Sequence, residues 1–320
     1  MKRSAYIWLI VAAALVVAGA IILGGVMTVV KWDISKLATD SYEIKEYEVE
    51  GEFGDILISG GTADVRVALS DEPRTRVVCS ESEHLGYAVT VDDGTLKVER
   101  RDTRKWYERI GIVTGEPILT VYLPAAEYGR LVIKNSTGDV EVSRELSFGS
   151  IDISLSTGDV KNYASAGNIK INVTTGEVDL EEISADSVKV SVTSGDVNMK
   201  SVACSGDISI GCGTGDARFE NVRCGAFTTT GSTGEVLMKD LVASGKITVR
   251  RSTGEVRFDD CDADSLNIRT TTGSVKGSLL SQKVFEVSDT TGRVSLPSER
   301  SGGECRITVS TGDIIVKYSK

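Results

Sequence analysis

The sequence predicts an all-β protein built as a parallel β-solenoid, preceded by a β cap region and one N-terminal transmembrane helix. Three observations support this prediction: an uncharged run near the amino terminus, a signature that recurs ten times, and period-two alternation of apolar and polar side chains before each signature. With 41% hydrophobic residues among 320, the chain has the apolar content of a globular protein and can bury a core.

The first element is an uncharged run from Ala5 to Val30. As a helix it would extend about 39 Å, enough to cross a hydrocarbon layer about 30 Å thick. A cleaved signal peptide is the alternative, but its apolar region is normally about 7 to 15 residues and ends at a small-residue cleavage site, which this run lacks. We predict an uncleaved anchor over residues 5–30, with residues 1–4 in the cytoplasm and a single-pass topology in the cell membrane that leaves the C-terminal domain extracytoplasmic.

A signature of a hydroxyl residue, a glycine, an acid and an aliphatic residue repeats through the later part of the chain. Consecutive signature glycines are about 19 residues apart, and a near-constant period of this length is typical of stacked rungs. We therefore predict about ten rungs of 19–20 residues over residues 126–320. The signature glycines are Gly138, Gly158, Gly176, Gly195, Gly215, Gly234, Gly254, Gly273, Gly292 and Gly312.

Alignment on the signature glycine separates inward from outward positions. Aliphatic residues seven and five positions before the glycine flank a polar residue, which is typical of a strand with one wet face. A second glycine column nine positions before the signature predicts another corner, so that each rung holds two short strands, plus a connecting stretch with another aliphatic residue such as Leu146, Ile183, Val222 or Leu280. The predicted core column two positions after the glycine comprises Val140, Val160, Val178, Val197, Ala217, Val236, Val256, Val275, Val294 and Ile314.

The stretch between the helix and the repeats is less regular but still strand-like. We predict a linker over residues 31–39 and a β cap region over 40–125, because terminal repeats of solenoids are atypical. Its first two strands resemble degenerate rungs, and the polar segment Arg100–Arg109 is predicted to be a surface loop. The predicted strands are Phe53–Ile58, Thr62–Leu69, Tyr87–Glu99 and Ile118–Leu123.

Composition narrows the classes of function. A formal net charge of −10 argues against a nucleic-acid partner, since phosphate affinity needs clustered Lys and Arg. The single histidine, His84, removes the usual base for a Ser or Cys nucleophile and excludes multi-histidine metal sites. We expect His84 to be a solvated loop residue.

Two columns of polar residues beside the signature glycine could bind a ligand. The acids after each glycine would form a stack of carboxylates that repel one another, and bound Ca²⁺ could relieve this repulsion. Asp, Ser and Thr around a glycine are also ordinary turn residues whose side chains bond local backbone, and we favour this turn hypothesis. The hydroxyl residues before each glycine could present a polar surface to glycan or ice, or form a structural ladder, which we favour. The acids are Asp139, Asp159, Glu177, Asp196, Asp216, Glu235, Glu255 and Asp313.

The six cysteines lack a CxxC spacing, so a structural zinc site is not predicted. Cys204 and Cys224 are expected on adjacent rungs, where either a disulfide or buried free thiols would fit; we favour free thiols. The cysteines are Cys79, Cys204, Cys212, Cys224, Cys261 and Cys305.

The LTVYLP segment at Leu119–Pro124 and the STGDV repeats at Ser136–Val140 and Ser156–Val160 carry a resemblance to a known family. With the anchored amino terminus, the chain resembles the bacterial adhesin-like β-strand-repeat proteins of the toast-rack type, membrane-anchored proteins of unknown function. The resemblance covers roughly residues 40–320. It implies a surface adhesin role or, as for some relatives, a part in envelope-stress signalling, and it supplies no catalytic residues.

We therefore predict a non-catalytic, adhesin-like binding or structural module of the cell envelope. The alternatives are an envelope-stress sensor or regulator in a membrane signalling system, and a polysaccharide-acting β-solenoid enzyme, whose irregular acids and long rung insertions are not found in this array. No catalytic, cofactor-binding or metal residues and no cofactor are predicted. The expected partners are the membrane, an envelope or host glycan or protein, and a membrane signalling protein. The outward residues expected to touch a ligand include Lys170, Lys189, Thr228 and Thr248.

Overall fold

A computed structural model describes residues 3–29, 31–32, 38–105, 112–114, 117–288, 291–298 and 301–319. One helix precedes a parallel β-solenoid of about nine turns, which confirms the predicted fold class. The elements are α1 (Arg3–Val29), β1 (Ala38–Ser41), β2 (Glu43–Glu48), β3 (Asp55–Gly61), β4 (Asp64–Leu69), β5 (Arg76–Glu81), β6 (Leu85–Asp92), β7 (Thr95–Asp102), β8 (Ile112–Thr114), β9 (Ile118–Leu123), β10 (Glu127–Thr137), β11 (Val140–Val142), β12 (Ser147–Thr157), β13 (Val160–Asn162), β14 (Ser165–Thr175), β15 (Val178–Glu181), β16 (Ser184–Ser194), β17 (Val197–Cys204), β18 (Ile208–Thr214), β19 (Ala217–Cys224), β20 (Phe227–Thr233), β21 (Val236–Ala243), β22 (Lys246–Thr253), β23 (Val256–Cys261), β24 (Ser265–Thr272), β25 (Val275–Leu279), β26 (Lys283–Ser288), β27 (Val294–Ser295), β28 (Gly303–Thr311) and β29 (Ile314–Tyr318).

Helix α1 is apolar on all sides, and no other part of the described chain buries it. Its segment Tyr6–Val29 is long and apolar enough to cross a membrane, and none of it is buried. The helix ends in a left-handed cap, in which Lys31 has φ 56° and the Trp32 N–H donates to the Met27 carbonyl at 2.8 Å.

Neighbouring rungs pair in parallel and in register, so that like side chains stack. Ile151 of β12, for example, pairs with Ile169 of β14, which pairs with Val188 of β16. These three side chains are 1% exposed, as expected for the inward columns of a strand with one wet face. The core column after the signature glycine is also buried, except at Val294, which is 45% exposed.

Most of the later rungs have three sides rather than the two strands predicted. In the rung formed by β18 and β19, β18 makes one side, and β19 bends at Asn221 into two more. Asn221 has φ 53°, a left-handed conformation that Asn and Asp tolerate better than most residues. Residues at the same place, six positions after the signature glycine, share this conformation: Glu182, Ser201, Asn221, Asp240 and Asp260.

We call the sides of a rung face A, before the signature glycine, face B, between that glycine and the left-handed bend, and face C, after the bend. The predicted second glycine column lies at the corner between faces C and A. It does not require a positive φ. A Cβ on Gly225 would lie 2.9 Å from the carbonyl oxygen of Gly206, so this column is restricted by close backbone approach.

The signature glycines meet two constraints at once. Nine of them have φ between 103° and 147°, and a Cβ on Gly195 would lie only 1.9 Å from the carbonyl oxygen of Gly176 in the rung below. Both the left-handed turn and the close stacking therefore exclude a side chain. Gly292 does not have this φ, which leaves nine regular turns for ten signatures.

At the C-terminal end, the order of rungs in space differs from their order in the chain. Strand β28 pairs with β24 on one side and with β26 on the other, and β29 likewise lies between β25 and β27. The last segment of the chain is therefore inserted beneath the β26–β27 rung, which forms the end of the stack.

This insertion explains one prediction that is wrong: Val294 belongs to the terminal rung, where no further rung covers it. The connecting residues Leu146, Ile183 and Val222 are buried, whereas Leu280 is 54% exposed. Leu280 differs because the register between β23 and β25 shifts, so that Cys261 pairs with Leu279, and Leu279 takes the inward position at 0%.

The N-terminal end shows the same exchange. Strands β3 and β4 form a rung that pairs with β10 and β11 above and with β7 and β9 below. The hypothesis that this segment is a degenerate rung is therefore confirmed. Antiparallel strands β2, β5 and β6 then cover the stack.

The predicted strand Tyr87–Glu99 is a hairpin instead. Asp93 (φ 48°) and Gly94 (φ 69°) form the two-residue turn between β6 and β7, which is the expected turn for an Asp-Gly pair. Strand β7 continues to Asp102, so the predicted Arg100–Arg109 loop is a strand at its beginning. Residues 106–109 lie outside the described residues.

A buried carboxylate ties the cap together. Glu81 is 4% exposed, accepts a hydrogen bond from the Tyr47 hydroxyl at 2.9 Å and from the Tyr87 N–H at 2.7 Å, and pairs with Lys45 at 2.9 Å. Burial opposes its ionisation, but the hydrogen bonds outweigh burial and hold the pKa of Glu81 below its usual range. The charge therefore joins β2 to β5 and β6.

Replacement of Gly195 by Ala should destabilise the solenoid by about 2 kcal/mol or more, because the new Cβ meets the Gly176 carbonyl and the left-handed φ is strained. Thermal unfolding followed by circular dichroism measures the change. Gly211→Ala is the matched control in the next rung, since its Cβ would have no neighbour closer than 3.8 Å. Equal melting temperatures for the two variants would show that glycine stacking does not constrain the turn.

Candidate ligand-binding groove

Face A carries a groove that runs across several rungs of the N-terminal half of the solenoid. It encloses about 590 Å³, and its floor is made of short hydroxyl and amide side chains. Arg100 and Lys134 lie at the end nearer the cap. We call it the hydroxyl groove and define it by Ser154, Ser156, Asn172, Thr174, Ser191 and Thr193.

The same positions on later rungs form a second groove of about 600 Å³. Here long basic side chains replace the short polar ones. We call it the arginine groove, and it is lined by Thr230, Gly231, Arg250, Arg251, Ser252, Asn267, Arg269, Thr271, Arg306 and Thr308.

A third groove, of about 710 Å³, follows the corner between faces C and A. Small side chains line it, including Ser165, Ala185 and Ser205. It also contains Cys204 and Cys224, which lie on adjacent rungs as predicted. Its two charged lining residues are engaged within the protein: the Asp186 carboxylate accepts a hydrogen bond from the Ser205 hydroxyl at 3.0 Å, and Arg223 donates to the Val222 carbonyl at 3.2 Å.

The predicted outward residues lie on the same face as the first two grooves but outside their linings. Lys170 and Lys189 are exposed, and Thr228 and Thr248 are half-buried. Lys170 pairs with Asp152 at 3.2 Å. The two grooves are formed by the outward side chains that lie two positions later on each strand. The four predicted residues therefore border these grooves and do not line them.

The acidic column uses its oxygens to join rungs. The Asp139 carboxylate accepts the backbone N–H of Asp159 at 2.9 Å, and Asp159 accepts that of Glu177 at 2.8 Å. Asp196 and Asp216 continue the pattern. These acids therefore bond backbone, as the turn hypothesis expects, but the bonded backbone belongs to the next rung in space and not to the same turn.

The same ladder follows the exchanged order of rungs at the C-terminal end. The Ser274 hydroxyl accepts the Asp313 N–H at 3.3 Å, and Asp313 accepts the Arg293 N–H at 2.8 Å. Within the described part of the chain, no group of three or more His, Cys, Asp or Glu side chains could hold a metal ion.

The hydroxyl column before the signature glycine does not form the predicted side-chain ladder. Thr157 and Thr175 are exposed, and it is their backbone carbonyls that accept the N–H groups of Gly138 and Gly158, at 3.1 and 3.0 Å. Among the described residues none of these column hydroxyls bonds the next rung, so the row faces solvent beside the hydroxyl groove.

The cysteines and His84 form no reactive pair. All six cysteines are buried free thiols, and burial raises the pKa of Cys224, Cys261 and Cys305 to about 12. Such thiols stay protonated and are poor nucleophiles. His84 lies between β5 and β6, half-buried rather than fully solvated, and its carbonyl accepts the Thr103 N–H at 3.0 Å.

Sequence reasoning missed Arg251. It occupies an inward position where other rungs have Leu155, Val173 or Cys212, and it is only 3% exposed. Its Nη1 donates to the Cys212 carbonyl at 2.7 Å, two rungs away. Gly231, on the rung between, leaves room for this reach. The sequence did contain a signal for Arg251: a basic residue stands in an aliphatic column, one repeat after a glycine in that column.

Residues 53–214 and 203–320 match the model of the family described as Toastrack DUF4097. Together the two matches span well over half of the chain. The chain therefore belongs to the Toastrack DUF4097 family, which confirms the resemblance inferred from its repeats. No curated protein matches it.

Solved structures resemble the fold at low sequence identity. An adhesin candidate from Parabacteroides merdae is 12% identical, with a TM-score of 0.53, and the match covers 75% of this chain and 97% of that one. A second adhesin candidate, from Parabacteroides distasonis, is 13% identical with a TM-score of 0.48, over 74% and 96% of the two chains. The first likeness supports the shared fold alone.

Glu177, a member of the acidic column, should make the free energy of unfolding depend on pH. Burial raises the pKa of Glu177, and the Asp179, Asp159 and Asp196 carboxylates raise it further. A raised pKa in the folded state means that stability falls as pH rises through the titration range of this group. Glu177→Gln should therefore raise the melting temperature at pH 7, where the free energy of unfolding should increase by a fraction of a kcal/mol. At pH 3 the substitution should leave the melting temperature unchanged.

Glu235→Gln, in an exposed position of the same column, is the matched control and should change the melting temperature less. A gain from Glu177→Gln that is the same at pH 3 and pH 7 would contradict carboxylate repulsion as its cause.

Proposed function

We propose that this protein is a membrane-anchored, extracytoplasmic and non-catalytic binding module of the cell envelope, with the hydroxyl groove as its ligand-binding surface. The observation that carries the proposal is the row of Ser, Thr and Asn side chains in this groove, repeated on successive rungs. Rungs stack about 4.8 Å apart, so an extended polymer lying along the axis would meet similar polar groups at each step.

The chemistry of the groove favours a glycan. Ser and Thr hydroxyls and the Asn172 amide both donate and accept hydrogen bonds, as sugar hydroxyls do. Ser154 and Asn172 are half-buried, whereas Ser156 and Thr174 are exposed, so the groove combines a floor and an accessible rim. The exposed threonine row beside it enlarges the same polar surface.

The arrangement of reactive groups supports a role without catalysis. The aspartates of the acidic column are engaged with the backbone of the next rung, the thiols are buried, and His84 lies in the cap. A general acid and base would have to share a site with the substrate, and the hydroxyl groove is lined by no carboxylate and no histidine.

Helix α1 supports the anchoring. Its unburied apolar segment Tyr6–Val29 has the length of a membrane span, and the structured β-domain follows it. In this proposal the helix holds the groove close to the outer surface of the cell membrane, where envelope polymers are within reach.

The binding proposal is tested with immobilised chitohexaose and cellohexaose, two neutral oligosaccharides, and with the full chain in a polyoxyethylene detergent that carries no sugar. The triple variant Ser154→Ala, Asn172→Ala, Ser191→Ala should lose at least tenfold in affinity, because each change removes groove donors or acceptors. Lys189→Ala, Thr228→Ala, Thr248→Ala, on the same face outside the groove, should stay within twofold.

Equal losses in the two triple variants, or no binding of either oligosaccharide, would contradict the hydroxyl groove as a glycan site. New reducing ends in the oligosaccharide after incubation would contradict the non-catalytic role and favour the enzyme alternative.

The topology is tested by fusing alkaline phosphatase after Lys320. The enzyme needs disulfides that form outside the cytoplasm, so an active fusion that fractionates with membranes is expected. A fusion that is inactive, while the same position supports a fluorescent cytoplasmic reporter, would reverse the orientation. Activity in the soluble fraction would show that the helix is a cleaved signal.

A further inference from the structure

The arginine groove holds two like charges on adjacent strands. Arg250 of β22 pairs in register with Arg269 of β24, and like charges placed directly opposite each other destabilise a sheet. No carboxylate among the described residues lies within ion-pair distance of either. The comparable pair, Lys170 and Lys189, differs because Asp152 neutralises Lys170 at 3.2 Å.

A third guanidinium lies one rung away from this pair, over Gly231. Arg251 is 3% exposed, yet its Nε and Nη2 have no hydrogen-bond partner, although it forms part of the groove wall. A buried charge that has no counter-charge and keeps two unpaired donors is costly, even with the bond from Nη1 to the Cys212 carbonyl. The fold nevertheless makes room for it. A Cβ at position 231 would lie 1.8 Å from Nη1 of Arg251, and Gly231 has no side chain.

A fourth arginine borders the groove in a fixed position. Arg306 bonds Glu286 at 2.7 Å and Glu304 at 3.1 Å, so its guanidinium is oriented and its charge is offset by the two carboxylates. The Thr308 hydroxyl, which pairs in register with Arg269, lies 3.2 Å from the Ser288 hydroxyl and adds a donor. The groove thus combines charge and hydroxyls in a chain whose net charge is −10.

We propose that the arginine groove binds a phosphate-type oxyanion, held between Arg250 and Arg269, with the buried charge of Arg251 over the neighbouring rung adding to the positive potential. A single carboxylate would be satisfied by one guanidinium fork, whereas a tetrahedral oxyanion offers acceptors to several donors that approach from different sides. This inference rests on the proposed function in one respect: it adds a charged anchor point to the polymer surface of face A. A phosphate-bearing envelope polymer is then the ligand class.

The test uses the full chain in a polyoxyethylene detergent and three probes: inorganic phosphate, polyphosphate, and glycerophosphoglycerol, which is the headgroup of phosphatidylglycerol without its acyl chains. Calorimetry measures affinity at constant ionic strength, because exposed charges are screened by salt. The double variant Arg250→Gln, Arg269→Gln should bind at least tenfold more weakly. Lys161→Gln, Lys189→Gln removes the same net charge from exposed positions and should stay within twofold.

Arg251→Met tests the buried charge separately, since Met keeps a long side chain over Gly231 without donors. It should weaken phosphate binding at least threefold while the β-type circular dichroism is retained. If this variant does not fold, the double variant Arg250→Gln, Arg269→Gln alone tests the proposal, because Arg250 and Arg269 make no structural bond that their replacement would break.

Tightest binding of polyphosphate supports the site and assigns it to a phosphate-bearing polymer. Tightest binding of glycerophosphoglycerol supports the site and assigns it to a lipid headgroup. Equal losses in the two double variants, or no binding of any probe, would overturn the proposal. Phosphate binding without oligosaccharide binding would leave this site standing while the glycan proposal for the hydroxyl groove fails.

Discussion

The close approach of successive rungs at the signature glycines is the constraint on which the rest of the structure depends. At Gly195 and its equivalents, the glycine Cα packs on the carbonyl of the rung below, and φ lies in a region that side chains avoid. With the turns stacked in this way, each rung repeats the register of its neighbour. Inward residues then form apolar columns, and the Asp139 type of carboxylate reaches the next rung's N–H.

The sequence was sufficient to predict what depends on one rung and its neighbours. Alternation located the inward columns, and the Val178 and Val197 positions are buried as predicted, because each repeat solves the same packing problem. It was not sufficient for the order of rungs at the ends. Val294 carries the same local pattern as Val197, and only the insertion of β28 and β29 between the β24–β25 rung and the β26–β27 rung leaves it exposed. The left-handed bends were hidden because Glu182 and Ser201 are not glycines.

The candidate site also divides into features that could be predicted from the sequence and features that could not. The rows of hydroxyl residues on face A could be predicted from the repeat, but the groove could not, because it depends on how the outward side chains of several rungs meet. Arg251 shows the limit most clearly: its burial depends on the absence of a side chain at Gly231 and on a carbonyl two rungs away. Stacking therefore supplies the scaffold, while departures from the repeat distinguish one part of face A from another.

The central claim, that position in the stack rather than position in the chain sets the environment of each strand, is tested most directly by amide hydrogen exchange. Strand β28 is bonded on both sides and β26 on one, so the account predicts slow exchange in Glu304–Thr311 and faster exchange in Lys283–Ser288, although the former lies nearer the chain terminus. Faster exchange in β28 than in β26 would contradict the inserted rung and indicate a solenoid stacked in simple chain order.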